Sequence, residues 1–227
     1  MKIILVRHGH PDYVNDCLTS LGHEQAEKAA LRLKDEGIQQ IFSSPFGWAQ
    51  ETALHTAALL SQSVTTLDFM REIKWGSRDG NAIYADGHPW DTSLYALAQG
   101  NSLMDESWTK LPPFCNNTVF SETERVAVQS DEWMESLGYR REGTNYRVIG
   151  ADTNRTIALF SHGGSSTALL SRLLNLPFFY LCRVLCPDFT AITVLSLSDV
   201  KGSITVPMIE LANDSRHIKG EGVSYSM

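Results

Sequence analysis

Three short polar motifs stand out in the sequence because each one follows a run of apolar residues. They read Arg7-His8-Gly9-His10, Ser43-Ser44-Pro45 and Ser161-His162-Gly163-Gly164. A neutral imidazole is a nucleophile near neutral pH, and a guanidinium binds phosphoryl oxygens with a planar pair of N–H donors. The glycines of the last motif open a segment of helical period, and the first amides of a helix attract anions. Together the motifs predict a site for a phosphate-bearing ligand.

The segments around these motifs alternate between two hydrophobic periods. Short apolar runs typical of buried strands lie at 2–6, 38–43, 64–67, 156–160, 192–197 and 204–211. Segments of helical period lie at 20–36, 45–61, 121–138 and after the last motif up to 173. This alternation predicts an α/β fold, a three-layer sandwich with a mostly parallel central sheet flanked by helices. Because ligands of such sheets bind beyond the carboxyl ends of the strands, we expect the three motifs at one rim.

Local signals predict where several elements begin and end. The helix over 20–36 has an apolar stripe through Leu21, Ala26, Ala29, Ala30 and Leu33. Gly37 is predicted to end this helix, and Pro45 to open the next one. Ser121-x-x-Glu124 has the form of a capping box at the head of the helix that ends at Gly138. Pro207 lacks a backbone N–H, so the last strand is predicted to be bulged or at a sheet edge.

The size and composition of the chain predict one folded unit. It has 227 residues, of which 43% are apolar and 20% charged, values typical of soluble globular domains. We expect a single domain over 1–227 with an insertion or lid at about 81–120. This segment carries scattered aromatic residues, namely Tyr84, Trp90, Tyr95, Trp108, Phe114 and Phe120. Two interpretations of them stay open: a lid that selects the non-phosphate part of a ligand, or the small core of the insertion.

Charge and cysteine content limit the classes of partner and compartment. Nineteen Lys and Arg residues against twenty-six Asp and Glu residues give a net charge of −7, the wrong sign for binding nucleic acid or an anionic membrane. The four cysteines do not have the spacing of a disulfide framework or of paired zinc ligands. No apolar stretch has the length of a signal peptide or membrane span. We therefore expect a cytoplasmic monomer or homodimer that binds a small phosphorylated substrate.

The order of several motifs along the chain indicates a family. Arg7-His8-Gly9 is followed by Leu18-Thr19-x-x-Gly22-x-x-Gln25-Ala26, Ser43-Ser44-Pro45-x-x-x-Ala49-x-x-Thr52-Ala53, Glu72 and Ser161-His162-Gly163-Gly164. This five-part pattern resembles the histidine phosphatase superfamily, the family of phosphoglycerate mutases and related phosphatases. The resemblance extends over most of the chain outside residues 81–150 and implies a phosphoglycerate mutase-like fold.

The resemblance implies a role for each residue that matches the motifs. His8 would attack phosphorus and form a phosphohistidine intermediate. Arg7 would clamp the phosphoryl oxygens with its planar fork, and His162 would donate to them. Thr19 and Gly163 complete the phosphate-binding set that we expect. Because fixed donors stabilise the charge of a transferred phosphoryl group, the resemblance implies neither a metal nor a cofactor.

Glu72 lies in the sequence where the family keeps its acidic proton donor. A carboxyl group that donates a proton near pH 7 needs a raised pKa, which nearby phosphate charge and apolar neighbours provide. Taken without the family, the residue reads as a solvated carboxylate paired with Arg71 or Lys74. With the family we predict that Glu72 is the acid, and Asp79 is the reserve candidate.

One residue departs from the family pattern. The family segment Ser-Pro-x-x-Arg-Ala supplies a second phosphate-binding arginine, and this chain has Trp48 at that position. Tryptophan has no charged fork, and the loss of one preorganised donor can cost about 10²–10³ in rate. Arg71, Lys74 or Arg78 are candidates to take over the missing charge. Trp48 itself either stacks on a substrate or packs under the insertion.

The first motif also imitates part of a zinc site. His8-x-His10-x-Asp12 resembles the start of the metallo-β-lactamase zinc motif. That motif continues with a histidine, whereas Tyr13 follows here, and zinc would leave His162 without a role. We therefore interpret residues 10–13 as a substrate-side loop or a turn.

The sequence favours a metal-independent phosphatase that hydrolyses phosphomonoesters through His8. One alternative is phosphoryl transfer of the phosphoglycerate mutase type, although Arg7-His8-Gly9-His10-Pro11-Asp12 lacks the Glu/Ser-rich continuation usual in mutases. The other alternative is a catalytically impaired phospholigand-binding or interaction protein, and Trp48 motivates it.

Overall fold

Strands and helices alternate along most of the chain. The computed structural model describes residues 1–112 and 114–219; Pro113 and residues 220–227 of the predicted domain lie outside this part. The strands are β1 (Lys2–Arg7), β2 (Pro11–Asp12), β3 (Cys17–Leu18), β4 (Ile38–Ser43), β5 (Val64–Thr66), β6 (Tyr139–Glu142), β7 (Asn145–Val148), β8 (Thr156–Ser161), β9 (Ile192–Ser196), β10 (Ile204–Thr205) and β11 (Met208–Asp214). The helices are α1 (Ser20–Leu33), α2 (Gly47–Leu60), α3 (Pro89–Ala98), α4 (Val119–Ser136), α5 (Gly163–Leu174), α6 (Phe178–Val184) and α7 (Arg216–Lys219).

A six-stranded sheet in the order β11-β9-β1-β8-β4-β5 forms the middle layer. Strands β1, β8, β4 and β5 are parallel, whereas β9 and β11 run antiparallel to their neighbours. Alternate residues of β1 enter different clusters: Ile3 and Leu5 pack on one face of the sheet, and Ile4 and Val6 on the other. A strand that is buried on both faces requires a layer on each side. The prediction of a three-layer, mostly parallel α/β fold is confirmed.

The register of the parallel strands brings the three polar motifs to the same rim. Arg7, the last residue of β1, pairs with Ser161 at the end of β8. Ser43 at the end of β4 pairs with Phe160, one residue earlier on β8. The chain leaves all three strands at this level, so the side chains that follow them face the same space beyond the sheet.

Helix α2 begins later than the sequence predicts. Pro45 was predicted to open it, whereas the helix starts at Gly47 behind Phe46, which has no capping side chain. The Asp16 carboxylate supplies the cap from another part of the chain, because its Oδ1 accepts from the Gly47 N–H at 2.7 Å. A Cβ on Gly47 would lie 1.7 Å from the Asp16 carbonyl oxygen, so only glycine permits this approach.

Two other predicted helix boundaries are wrong. Helix α1 ends at Leu33, and the predicted stripe residue Leu21 is 51% exposed. The capping box at Ser121 does not form, since Ser121 lies inside α4 and its hydroxyl donates back to the Thr118 carbonyl. The Asn117 side chain accepts from the Val119 N–H at 3.0 Å instead. Asn117 therefore satisfies the first amide of α4 from just before the helix.

The last predicted strand is divided. Its first part, β10, joins β7 and β6 in a separate three-stranded sheet, and its second part, β11, is the edge of the central sheet. The break falls at residues 206–207, and β11 has two register shifts against β9. The prediction of an edge or bulged strand at Pro207 is confirmed. The hairpin of β6 and β7 was not predicted, because charged residues alternate there with the buried Tyr139, Tyr146 and Val148.

The segment 81–120 contains α3 and short 3₁₀ turns. Trp108 and Phe114 are 2% and 5% exposed and belong to the main apolar cluster of the protein. Trp108 packs edge-on against Phe179 of α6, with the ring centroids 5.0 Å apart. These two aromatic side chains are core residues. Selection of a ligand by the rest of the segment stays a prediction.

The structure also bears on membranes and thiols. None of the helices in residues 1–112 and 114–219 combines the length and the apolar character that a membrane crossing requires. The four cysteines are free thiols. Burial of Cys182 in α6 raises the pKa of its thiol, so that side chain is a poor nucleophile.

Candidate active site

His8 follows β1 and is 2% exposed. Its Nδ1 lies 2.7 Å from the Gly9 carbonyl oxygen. A carbonyl only accepts, so Nδ1 carries the ring proton and Nε2 keeps its lone pair. Burial, reinforced by the charge of Arg7, lowers the pKa of His8 to about 3, and the ring is neutral at neutral pH. A neutral ring with a fixed lone pair has the properties of a nucleophile.

Arg7 ends β1 beside this nucleophile. Its Nη1 donates to the Pro187 carbonyl at 2.6 Å, and its guanidinium lies 4.3 Å from the centre of the Phe189 ring. Its Nε is buried and has no hydrogen-bond partner within the described part of the chain. The same Nε lies 3.8 Å from the position that a Cβ on Gly163 would occupy. Arg7 is thus anchored at one end and brings its charge to the start of α5.

His162 is fully buried next to His8, with the ring centroids 5.2 Å apart. Its Nε2 lies 2.6 Å from the Ser44 hydroxyl oxygen, and its Nδ1 accepts from the Trp48 indole N–H at 2.9 Å. Burial lowers the pKa of His162 well below its ordinary value, and the charge of Arg7 lowers it further. Both ring nitrogens are therefore bound by protein groups. Donation by His162 to a phosphoryl oxygen stays a prediction, and it requires one of these bonds to be exchanged.

Glu72 lies against the first turn of α5. Its carboxylate accepts from the backbone N–H groups of Ile73, Gly164 and Ser165 at 2.9, 3.2 and 2.8 Å. A Cβ on Gly164 would lie 2.7 Å from Glu72 Oε1, so glycine is needed for the carboxylate to reach these amides. Burial raises the pKa of Glu72 although the three hydrogen bonds oppose the rise. A carboxyl group with a raised pKa close to Arg7 has the chemistry of a proton donor.

Thr19 and Gly163 occupy different positions at the rim. The Thr19 hydroxyl caps α1 by accepting from the Gly22 N–H at 3.1 Å, and it lies 3.0 Å from His10 Nδ1. Thr19 thus holds the loop after His8 in place, and its binding of phosphate stays a prediction. Gly163 opens α5, where the Arg7 guanidinium and the Trp90 ring both approach it, each within 4 Å of the position of an added Cβ.

Asp79, the reserve candidate for the acid, has an unsuitable environment. Its carboxylate accepts from Ser77 Oγ and from the backbone N–H of Asn81. The hydrogen bonds from Asn81 and Asn116 lower the pKa of Asp79 to about 2. Asp79 is therefore ionised at neutral pH and holds no proton to give. The role of Glu72 as the acid stays a prediction.

The three basic residues considered as substitutes for an arginine at position 48 have other surroundings. Arg71 forms a two-point hydrogen bond with Glu122 of α4 at 2.7 and 3.0 Å. Arg78 donates to the Cys115 carbonyl at 2.5 Å, and Lys74 is exposed. Arg71 is thus a structural cation bound to α4, and neither Arg71 nor Arg78 has its donors turned to the histidines in this structure.

Aromatic side chains surround the two histidines, and the sequence did not predict most of them. Trp48 packs edge-on against Tyr13 and His162 and close to Phe46, with ring centroids 5.1–5.8 Å apart. It lies in a small cluster of residues from β3, α1 and α2, so the prediction that it packs under the insertion is wrong. Phe189 lies against His8 and His10 on the other side. Phe189 sits in a loop before β9 and had no motif to mark it.

The residues of the zinc-like motif have other partners. The Asp12 carboxylate accepts from Asn15 Nδ2 at 2.8 Å and from the Val14 N–H at 3.0 Å. His10 Nδ1 faces Thr19, and His8 Nδ1 faces the Gly9 carbonyl. Within residues 1–112 and 114–219 no three His, Cys, Asp or Glu side chains are grouped as metal ligands. Asp12 ends β2, and its carboxylate closes the turn that leads on to β3.

Comparison with known proteins agrees with the motifs. The family model for the histidine phosphatase superfamily (branch 1) matches residues 3–98. The probable phosphoglycerate mutase GpmB of Yersinia enterocolitica is 26% identical over 186 residues, which are 78% of this chain and 76% of that protein. The corresponding Yersinia pestis protein is 27% identical over 188 residues with the same shares covered.

Solved structures share the fold. A mycobacterial glucosyl-3-phosphoglycerate phosphatase with inorganic phosphate has a TM-score of 0.64 at 23% identity, over 96% of this chain and 99% of that one. A phosphoserine phosphatase from Entamoeba histolytica with 3-phosphoglyceric acid has a TM-score of 0.63 at 20% identity, over 95% and 98% of the two chains. At these identities the likeness concerns the fold, a mostly parallel sheet flanked by helices.

Proposed function

This chain belongs to the histidine phosphatase superfamily, and we propose that within it the protein is a metal-independent phosphatase of small phosphomonoesters. The observation that supports this most is the state of His8. Its Nδ1 proton is held by the Gly9 carbonyl, so the lone pair for attack is on Nε2. The named phosphatases of the same fold support hydrolysis. We expect the protein to act in the cytoplasm.

The reaction has two steps. In the first, the Nε2 lone pair of His8 forms a bond to phosphorus, the ester P–O bond breaks, and the leaving oxygen takes the proton of Glu72. The imidazolium that results keeps its Nδ1 proton on the Gly9 carbonyl. In the second, water attacks phosphorus, gives a proton to the Glu72 carboxylate, and the N–P bond breaks. Arg7 offers the fixed cationic donors that stabilise the phosphoryl charge in both steps.

A second candidate function follows from the Yersinia relatives, which are named as probable phosphoglycerate mutases. A mutase returns the phosphoryl group from His8 to another hydroxyl of the substrate instead of to water. The two activities share the first step and differ in the acceptor. Phosphoglycerate as substrate separates them, because a phosphatase releases inorganic phosphate and a mutase yields the isomeric ester.

Turnover of a generic aryl phosphate in the presence of a chelator tests the proposal. We expect the wild-type protein to release the phenol, and we expect His8→Ala to lose this activity. His55→Ala is the matched control, since that partly exposed histidine contacts His23 and lies outside the site. Equal turnover by wild-type protein and His8→Ala would exclude His8 as the nucleophile. No turnover by any variant between acidic and neutral pH would favour the phospholigand-binding alternative.

A further inference from the structure

Trp48 determines which nitrogen of His162 carries the proton. The indole N–H can only donate, and it points at His162 Nδ1 over 2.9 Å, so this nitrogen is unprotonated. The ring proton is then on Nε2, which lies 2.6 Å from the Ser44 hydroxyl. A second proton on His162 would sit at Nδ1 and face the N–H of Trp48, donor against donor. The buried hydrogen bond from Trp48 therefore keeps His162 neutral.

The pocket consequently holds little positive charge. Arg7 supplies one fixed cation, whereas His8 and His162 are buried and neutral. Trp48 stands where the family pattern has a second arginine, and Arg71 is bound to Glu122. In the part of the chain that the structure describes, the titratable and charged side chains around His8 and His162 are Arg7, His10, Tyr13, Glu72 and Asp188.

The acidic side chains of this set do not change the number of positive charges that are available to a bound phosphoryl group. Asp188 accepts from Ser215 at 2.7 Å and forms an ion pair with Lys219, so its charge is compensated there. Glu72 already has three backbone donors, and in its proposed role it is protonated when substrate binds. Among residues 1–112 and 114–219, the Arg7 guanidinium is therefore the fixed positive charge that meets the phosphoryl group. Charges that leave water need a partner of opposite sign.

We propose that Trp48 makes this pocket selective for the monoanion of a phosphomonoester, the form that keeps one proton on phosphate. This rests on the proposed phosphatase function and names the ionisation state of its substrate. Attack by His8 then breaks the ester bond of a group that still carries its proton on a non-bridging oxygen. The second pKa of a phosphate ester is about 6, so the reactive form is lost as pH rises above this value.

The pH dependence of kcat/KM tests the proposal. The substrate is an aryl phosphate with an acidic phenol, since such a leaving group needs no proton from Glu72. For the wild-type protein we expect kcat/KM to fall about tenfold for each pH unit above about pH 6, as the monoanion does. Trp48→Arg adds the second cation, and we expect its profile to be nearly flat there and its kcat/KM to exceed that of wild type at pH 7.5. Trp48→Phe adds no charge, and burial still lowers the pKa of His162 when the indole N–H is gone, so we expect this variant to keep the falling limb.

A substrate analogue of fixed charge separates titration of the ligand from titration of the enzyme. The matching aryl sulfate has the same shape and is a monoanion across this pH range. We expect its inhibition constant against wild type to stay constant from pH 6 to pH 8. A sulfate affinity that falls in parallel with kcat/KM would assign the falling limb to a group of the enzyme and overturn the proposal. A wild-type kcat/KM that is flat or rises over this range would also overturn it.

The failure of this inference is distinguishable from failure of the proposed function. A protein that never turns over the aryl phosphate contradicts the phosphatase proposal, and equilibrium binding of the two aryl esters then measures the same selectivity. Sulfate bound as well as or better than phosphate at pH 7.5 supports the inference, and phosphate bound more tightly at that pH contradicts it. If Trp48→Arg melts at a much lower temperature than wild type, the proposal is tested by the wild-type protein alone, from its pH profile of kcat/KM and from the inhibition constants of the aryl sulfate.

Discussion

Replacement of Glu72 by glutamine removes the proposed acid while keeping the size of the side chain. General acid catalysis contributes about 10²–10⁴ in rate, which is about 3–5 kcal/mol of transition-state stabilisation. This contribution is needed when an alkoxide leaves and not when a stable phenolate leaves. We therefore expect Glu72→Gln to lower kcat/KM for an alkyl phosphate by about 10²–10⁴ and to change that for an acidic aryl phosphate by less than about tenfold.

The assay compares the two substrates on the same preparations. Release of inorganic phosphate is measured for both esters with wild type, Glu72→Gln and, as a control carboxylate, Asp79→Asn. Asp79 is exposed and ionised, so we expect its replacement to affect both substrates equally and weakly. A loss for Glu72→Gln of the same size on both esters would mean that the carboxylate only orders the first turn of α5. A selective loss in Asp79→Asn would move the acid to Asp79.

The same variant has a defined effect on stability as a function of pH. Because burial raises the pKa of Glu72 above its ordinary 4.5, the folded state keeps a proton that the unfolded state has already lost. The wild-type free energy of unfolding therefore falls as pH rises from about 4.5 through the raised pKa. Glutamine does not titrate, but its amide faces the Gly164 N–H at the place of Oε2, an unmade hydrogen bond that costs about 1–3 kcal/mol. We expect the deficit of Glu72→Gln in urea unfolding to shrink as pH rises, and a growing deficit would refute the raised pKa.

Two further predictions concern the framework of the site. Trp108→Ala should lower the free energy of unfolding by about 3–5 kcal/mol, because its indole is buried against Phe114 and Phe179. The control is Leu111→Ala, since Leu111 is exposed. Equally small effects of both variants on urea unfolding would show that residues 81–120 fold separately from the core. Gly22→Ala would place a Cβ 2.2 Å from the His10 carbonyl oxygen, so it should lower the free energy of unfolding by about 1–3 kcal/mol. We also expect it to lower kcat/KM more than Ser20→Ala does, because Ser20 is exposed. A Gly22→Ala variant as active and as stable as wild type would contradict the packing of α1 against the loop after His8.

The fold and the location of the site were predictable because they rest on local signals. Apolar runs and polar motifs gave the parallel strands, and parallel register alone brings Arg7 beside Ser161. Helix starts were less predictable, since the cap of α2 comes from Asp16, 31 positions away in the sequence. No local pattern contains such a partner. The hairpin of β6 and β7 was missed because its charged residues obscure the alternation of buried ones.

The protonation and hydrogen bonding of the site were less predictable from the sequence. His8, Glu72 and His162 were predicted as site residues from the motifs. Which nitrogen of each histidine is protonated depends on hydrogen-bonding groups that only the folded chain brings close. Trp48 could be recognised as a departure from the family, whereas its hydrogen bond to His162 depends on the packing of α2 against the end of β8. Phe189 reaches the site from a loop in which no spacing rule applies.

The measurement that tests the central claim most directly is the identity of the phosphorylated nitrogen. Wild-type protein is mixed with an aryl phosphate whose phosphoryl group carries a label. The reaction is quenched in alkali, in which phosphohistidine survives, and the protein is digested. We predict one labelled peptide that contains His8, with the phosphoryl group on Nε2, because Nδ1 donates to the Gly9 carbonyl at 2.7 Å. A label on Nδ1, a label on another residue, or steady turnover with no trapped phosphohistidine would contradict the account.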